Sequence, residues 1–419
     1  MRSQYYILIL CCGLFAERFI ISLCAASILF CSCSNNASNN SQIIDIESAI
    51  GKGAIHNASE FLEDIRYIPL ETTAASIIGD IRNIIIENEK IYVLTYNDII
   101  TIFDINGKYL NTLNRIGRGP EEYLNISDFA INSRGNIVMS SYEEVLEYDA
   151  NLKLVGKITP GKNANTDAGL WDFTLLEDGL FASNIMYGDT DPKYVMQDLI
   201  IYDDDSLSVI RSYNSSRQMF IPEVKGFVMF LYDRYIYKNS LNIYKPGNDT
   251  IFNIDYKNDY LKTARYIMNY GKYRLSEQMY IDTYEDYPEG SKLISLLTLH
   301  ETDNYLFVSL NLRALAHEPF ERKTSTGSYK NTNAYAIYNK KNREFFLLNQ
   351  PIPQTLGLKE DMAIGPPFWP KGVTKKQELI TWHNAYELIT LAEEGKIDRN
   401  LVVNLKEDGN PVIVIATPK

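Results

Sequence analysis

From about residue 60 onward, short runs of aliphatic, β-branched and aromatic residues alternate with polar clusters at intervals of ~8–12 residues, the rhythm of an all-β fold. One unit reads Ile81-Arg82-Asn83-Ile84-Ile85-Ile86, a polar turn at Glu87-Asn88-Glu89, then Ile91-Tyr92-Val93-Leu94 and Ile100-Thr101-Ile102-Phe103-Asp104. Asn106-Gly107 follows and leads into Tyr109-Leu110. Asn-Gly between alternating runs predicts a tight hairpin, because both residues tolerate positive φ. The second unit reads Ser127-Asp128-Phe129-Ala130-Ile131, a turn at Ser133-Arg134-Gly135, Ile137-Val138-Met139 and Val145-Leu146-Glu147-Tyr148, and closes with residues 152–158.

A third unit holds Trp171-Asp172-Phe173-Thr174-Leu175, Glu177-Asp178-Gly179, Leu180-Phe181-Ala182 and Leu199-Ile200-Ile201-Tyr202. Later units are looser: 227–236 with 250–254, then 293–299 with 305–310 and 335–338, then 378–382 with 411–415. An aromatic marker near the end of the third strand falls at Phe103, Tyr148 and Tyr202, spaced by 45 and 54 residues. Four strands in ~40–55 residues is the period of a propeller blade. Five units are complete and a sixth is split. Residues 61–70 alternate well and supply the missing outer strand, so the ring closes between the two ends of the folded chain and leaves no open edge. The expected architecture is therefore an all-β, six-bladed β-propeller with four-stranded antiparallel blades, closed by its N-terminal strand. Counting residues 256–292 differently gives seven blades.

The start of the chain has a different pattern. Residues 19–30 form an apolar stretch of signal-peptide length, short for a membrane span. It ends in Phe30-Cys31-Ser32-Cys33-Ser34-Asn35-Asn36, a loose lipobox with small Ser32 ahead of the acceptor Cys33. Cys31 is the poorer acceptor because bulky Phe30 precedes it. The organisation read from this is a lipoprotein signal peptide at 1–32, an acylated Cys33 with a Ser/Asn-rich flexible tether at 33–59, and the propeller at 60–419. That places the protein in the cell envelope, held to the membrane through the lipid, with the outer membrane as its expected address.

Composition narrows the picture further. All five cysteines lie in the first 33 residues, which excludes disulfides and thiolate metal sites from the folded body. Arg2, Arg18 and Glu17 together carry one positive charge, so loss of the signal segment takes the formal charge from −12 to −13. So acidic a body repels phosphate backbones, and nucleic acid is not an expected partner.

Three segments carry a family resemblance: Ile68-Pro69-Leu70-Glu71-Thr72-Thr73, Gly117-Arg118-Gly119-Pro120-Glu121-Glu122-Tyr123 and Asn410-Pro411-Val412. Together they resemble the six-bladed propeller lipoproteins of Bacteroidetes, over roughly residues 60–419. The second unit is also similar to a degenerate NHL repeat. The resemblance implies the fold and supplies no chemistry.

Candidate chemistry is sparse. Gly117-Arg118-Gly119-Pro120-Glu121-Glu122 has Glu122 where a dinucleotide fingerprint needs its third glycine, and a strand follows it; it reads as a turn between blades. No phosphate-loop, nucleophile-elbow or zinc-protease motif occurs, and His56, His300, His317 and His383 lack metal-ligand spacing. Asp203-Asp204-Asp205 reads as a solvated hairpin turn.

Asn83, Asp128 and Asp172 align near the start of the innermost strand, where a propeller lines its channel. Their oxygens suit a hard cation such as calcium, as in lactonase-type propellers, or backbone N–H groups left unpaired at strand starts. Connections between blades, and between second and third strands, gather on one face of a propeller. Here they include 186–196, 214–223, 314–331 and 350–371, which carry Tyr187, Arg217, His317, Arg322 and Trp369. Arg217, Arg322 and Trp369 are the binding candidates, for a glycan, peptide or protein ligand. Residues 385–397 read as a short amphipathic helix packed on a blade. The leading expectation is a non-enzymatic binding or scaffold module without a cofactor and without an assigned catalytic residue. The alternative is a lyase or lactone hydrolase that uses a channel-bound divalent cation.

Overall fold

The computed structural model describes residues 41–141, 144–158, 172, 174–176, 179–188, 194–203, 209–221, 226–227, 232–276, 279, 291–324 and 327–419, with the side chains of 185–188, 194–198, 214–221, 226–227 and 324 left aside. The signal segment, Cys33, the first part of the tether and Asp204-Asp205 lie outside the described residues.

The alternating runs pair as six four-stranded antiparallel blades. Blade 1 is Ile81–Glu87, Lys90–Thr95, Ile100–Asp104 and Tyr109–Leu113; blade 2 is Asp128–Ile131, Ile137–Ser141, Glu144–Tyr148 and Leu154–Ile158. Blade 3 is Thr174–Leu175, Leu180–Gly188, Tyr194–Asp203 and Val209–Ile221, with Gly226–Phe227 added at its outer end. Blade 4 is Asp233–Tyr237, Ser240–Tyr244, Thr250–Asp255 and Leu261–Asn269. Blade 5 is Ser295–Glu301, Tyr305–Asn311, Asn333–Asn339 and Glu344–Leu347, with the hairpin Phe320–Thr324/Gly327–Asn331 inserted between its second and third strands. Blade 6 takes Gly372–Val373, Leu379–His383 and Val412–Pro418 from the end of the chain and Leu62–Pro69 from its beginning.

The closure expected from the sequence is present residue by residue: Ile68 pairs with Ile413, Tyr67 with Val414 and Arg66 with Ile415. Pro69, which has no N–H to give to a ladder, sits on this outer edge strand, where none is required. The closing strand meets blade 1 at the Asn106-Gly107 turn. Gly107 has φ +85, and a Cβ there would lie 2.3 Å from the Pro69 carbonyl oxygen, so the position demands glycine on two counts. Asn410 ties the next loop down: its Nδ2 donates to the carbonyls of Glu71 (2.8 Å) and Ser76 (2.7 Å), and its Oδ1 accepts from Ile78 N–H. Two of the three segments that carry the resemblance thus form one joint. The third, around Gly117, is the expected inter-blade turn, with Gly117 N–H donating to the Tyr123 carbonyl at 2.9 Å.

The core is a ring of wedges, one between each pair of neighbouring blades. Alternation explains this. In Lys90–Thr95, Ile91 and Val93 face blade 6 while Tyr92 and Leu94 face blade 2. In Tyr305–Asn311, Leu306, Val308 and Leu310 face blade 4 while Tyr305 and Phe307 face blade 6. A middle strand is therefore buried on both sides, and each fully buried aliphatic side chain stabilises the ring by ~1.5–3 kcal/mol. The markers Phe103, Tyr148 and Tyr202 are all buried, each in the wedge toward the preceding blade.

Three expectations need correction. Residues 42–59, read as tether, are packed: Gln42–Asp45 adds a parallel fifth strand to blade 4, with Ile44 opposite Met268. Ile44 and Ile46 are fully buried, and the chain then crosses blade 5 through an Ala54–Leu348 bridge before entering blade 6. The Ser/Asn bias that suggested a tether stops short of these isoleucines. Residues 186–196 and 214–223, read as loops, are for the most part strand. Tyr194–Asp203 pairs along both neighbours, lengthening blade 3 through a stretch that polar residues disguise in the sequence. The run 227–236 is broken: Phe227 pairs with Phe220 in blade 3, and blade 4 begins only at Asp233. The expected helix is present as Ala385–Glu393, its N-terminus capped by Asn384 and Glu387, with Leu388 and Ala392 packed toward Ile397 and Val412.

Candidate functional site

Inner strands begin at the mouth of the channel, and the first side chains of each decide what it presents. The Asn83 Oδ1 accepts from the Ile84 N–H at 2.8 Å, and the Asp128 Oδ1 from the Phe129 N–H at 2.9 Å. Asp172 is more heavily engaged. Its Oδ1 accepts from the Asn184 N–H (2.7 Å), and its Oδ2 accepts from Asn184 Nδ2 (2.6 Å) and Arg234 Nη1 (2.8 Å). Each of the three residues therefore caps a backbone donor through its Oδ1, and Asp172 also joins blade 3 to blade 4 through its Oδ2. Among the described residues no group of three or more His, Cys, Asp or Glu side chains is arranged to hold a metal ion.

The next inner strand opens with Asp233, a residue the sequence did not single out although it aligns with Asp172. It is open to solvent, yet burial of its surroundings and the nearby Asp172 charge raise its pKa to about 6 against the pull of Arg234.

Blades 5 and 6 present the opposite charge. Lys371, just before the short inner strand of blade 6, has its Nζ 4.2 Å from the centroid of the Trp382 ring and donates to the Trp382 carbonyl oxygen at 3.0 Å. Solvent reaches Lys371 even though protein crowds it. That crowding, opposed by Glu387 and reinforced by Arg322, lowers its pKa to about 8. His383, the last residue of the second strand, has its pKa lowered to about 4 by burial and by Lys371, so it is neutral at pH 7. Such a corner can attract an anion.

The three predicted binding residues have different fates. Arg322 lies on the exposed inserted hairpin, opposite Tyr329, close enough for its charge to act on Lys371 and Tyr335. Trp369 is only 7 % exposed. Its ring stacks on Tyr335 (4.2 Å between centroids, 6° between planes), meets Phe307 edge-on and donates Nε1–H to Ser309 at 3.1 Å. The ring is therefore consumed in sealing blades 5 and 6 and offers no platform to a ligand. Arg217 lies on the outer strand of blade 3 opposite Met196; its side chain is outside the described ones. His317 is exposed beside Glu318. Lys371 and His383 had no signal of their own in the sequence: one is a lone lysine after Trp369-Pro370, the other a lone histidine.

The family described as Domain of unknown function (DUF4934) matches residues 41–417, and the chain belongs to it. Among solved structures, it is similar to a Bacteroides fragilis protein described as exported, with a TM-score of 0.60 and 15% identity, covering 90% of this chain and 100% of that one. It is also similar to a member of the duf4221 family from Bacteroides vulgatus, with a TM-score of 0.44 and 11% identity, covering 85% and 97%. At such identity the first likeness speaks for the fold alone. No curated protein matches the chain. Among the described residues no helix is long and apolar enough to cross a membrane.

Proposed function

We propose that this DUF4934 propeller is an envelope-anchored binding or scaffold module, acylated at Cys33 and held at the outer membrane, that takes a glycan, peptide or protein ligand on the face bearing its blade-to-blade connections. The observation that carries this reading is that strand order brings to one face the inserted hairpin with Arg322, the 350–371 connection ending at Lys371, and the strand that ends in Trp382 and His383, with Lys371 seated against Trp382. Ligand sites favour extended connections on a rigid scaffold, and here a rigid ring carries them. The hydrogen bonds made by Asn83, Asp128 and Asp172 support capping over cation-dependent catalysis. The loose lipobox supports the anchor, and the second unit supports kinship with NHL repeats.

A screen of the full chain on glycan and peptide arrays tests the proposal. Saturable binding to a defined ligand class, weakened by substitutions on the inserted hairpin, is the expected result. Absence of saturable binding on both arrays would remove the reading.

A further inference from the structure

We infer that the mouth of blades 5 and 6 is an oxyanion subsite: the Lys371 ammonium, with Arg322 as second cation, receives a carboxylate, sulfate or phosphate group of the ligand. This rests on the loop-face reading above and adds the chemistry of what is recognised there.

The donor count comes first. An ammonium has three N–H donors, and Lys371 gives one to the Trp382 carbonyl. The Trp382 ring covers one side of the charge, and the side reached by solvent is left for the others. Beyond their places in the strand ladders, the side chains of Arg322 and His383 make no hydrogen bond or ion pair with any described residue, and Lys371 has no carboxylate within ion-pair distance among them.

The opposing charge felt at Lys371 is engaged elsewhere. Glu387 is felt at Lys371, but its carboxylate closes the helix cap, accepting from Asn384 N–H and from Tyr386 Oη–H, each at 3.2 Å. A second cation pair in the molecule shows the contrast. Arg265 and Lys340 also approach one another between blades 4 and 5, and there the buried Glu301 accepts from both, at 2.6 Å and 2.5 Å. Among the described residues the pair at the mouth of blades 5 and 6 has no such carboxylate. Burial, reinforced by the Arg322 charge, disfavours the charged state of Lys371, and an incoming oxyanion offsets that penalty while accepting the spare donors.

The test is titration calorimetry on the full chain with sodium sulfate, sodium phosphate and sodium D-galacturonate, with D-galactose as the neutral control. At least one oxyanion is expected to bind and D-galactose not to bind. Galacturonate binding more tightly than sulfate and phosphate assigns the group to an acidic sugar; the reverse order assigns it to a sulfate or phosphate. Lys371→Met should weaken binding by about tenfold or more, and Lys371→Arg should largely retain it. Arg322→Gln, on an exposed hairpin where folding is not at risk, should cause a smaller loss.

The pH profile of the wild type is an independent reading. The groups facing Lys371 are Arg322, Glu387 and His383. His383 is already neutral at pH 7. The oxyanion needs the protonated amine, so affinity should be level at neutral pH and fall as pH rises through about 8. Binding of no oxyanion, equal binding of D-galactose, or oxyanion binding unchanged in both Lys371→Met and Arg322→Gln would overturn the inference. An array ligand bound equally by wild type and Lys371→Met would overturn it while leaving the binding-module reading intact.

Discussion

Asp172 on blade 3 places its Oδ2 2.8 Å from Nη1 of Arg234 on blade 4, so an ion pair joins the two blades. The Arg234 side chain is only 5% exposed, and its Nε also donates to Thr174 Oγ1 at 2.6 Å. Removing the carboxylate charge would leave a buried guanidinium without its counter-ion. Asp172→Asn should therefore lower stability by about 3 kcal/mol. Asp128→Asn keeps an acceptor oxygen for the Phe129 N–H and should cost less than about 1 kcal/mol. Melting curves with and without millimolar calcium complete the test. Capping predicts no calcium response, whereas a resident cation site at 100-fold excess over Kd would add about 2.7 kcal/mol. A rise in Tm with calcium that disappears in the double variant would restore the cation-dependent reading.

Glu301 offers a sharper stability test. Its side chain is fully buried and accepts from Arg265, Tyr266 and Lys340 on Oε1 and from Tyr235 on Oε2. Glu301→Gln preserves the shape and removes the charge, stranding two cations, and should cost about 3–5 kcal/mol in denaturant unfolding. Adding Lys340→Met should recover part of that loss, because one of the stranded charges is then gone. Strictly additive losses would show that the network is not coupled.

Ring closure predicts how a truncation behaves. Without residues 60–70, the edge of Val412–Pro418 lies open and Ile413 and Ile415 lose their cover from Ile68. The shortened protein should aggregate in size-exclusion chromatography. A soluble monomer with an unchanged Tm would contradict the closure.

The strap on blade 4 should behave differently. Ile44 and Ile46 are fully buried, so Ile44→Ala and Ile46→Ala should each lower stability by about 2–5 kcal/mol. The ring stays closed in these variants, and they should remain monomeric. Unaltered stability would mean that residues 42–46 leave blade 4 in solution.

The anchor has a simple membrane-fractionation test. Cys33→Ala should release the protein from membranes or stall its processing, and Cys31→Ala should do neither. Retention and normal processing of the Cys33 variant would remove the lipid from the account.

What the sequence determined by itself was the scaffold. Strand alternation is a local property, so runs such as 91–94 and 305–310 announce their own burial, and Asn106-Gly107 announces its own turn. Repetition then sets the number of blades, and one orphan strand at 61–70 implies the closure. The mouth of the channel was decided by tertiary structure. Lys371, Arg322, Trp382 and His383 come from a connection, an inserted hairpin and a second strand, and no periodic pattern links them. Trp369 and Arg322 looked alike as loop residues, but the stack on Tyr335 buries the first and leaves the second exposed. The strap at 42–59 escaped notice because its partner Met268 lies far along the chain, in parallel register with a strand that had no visible vacancy. Burial and charge at such places depend on which elements the closed ring brings together, and only the folded ring supplies that information.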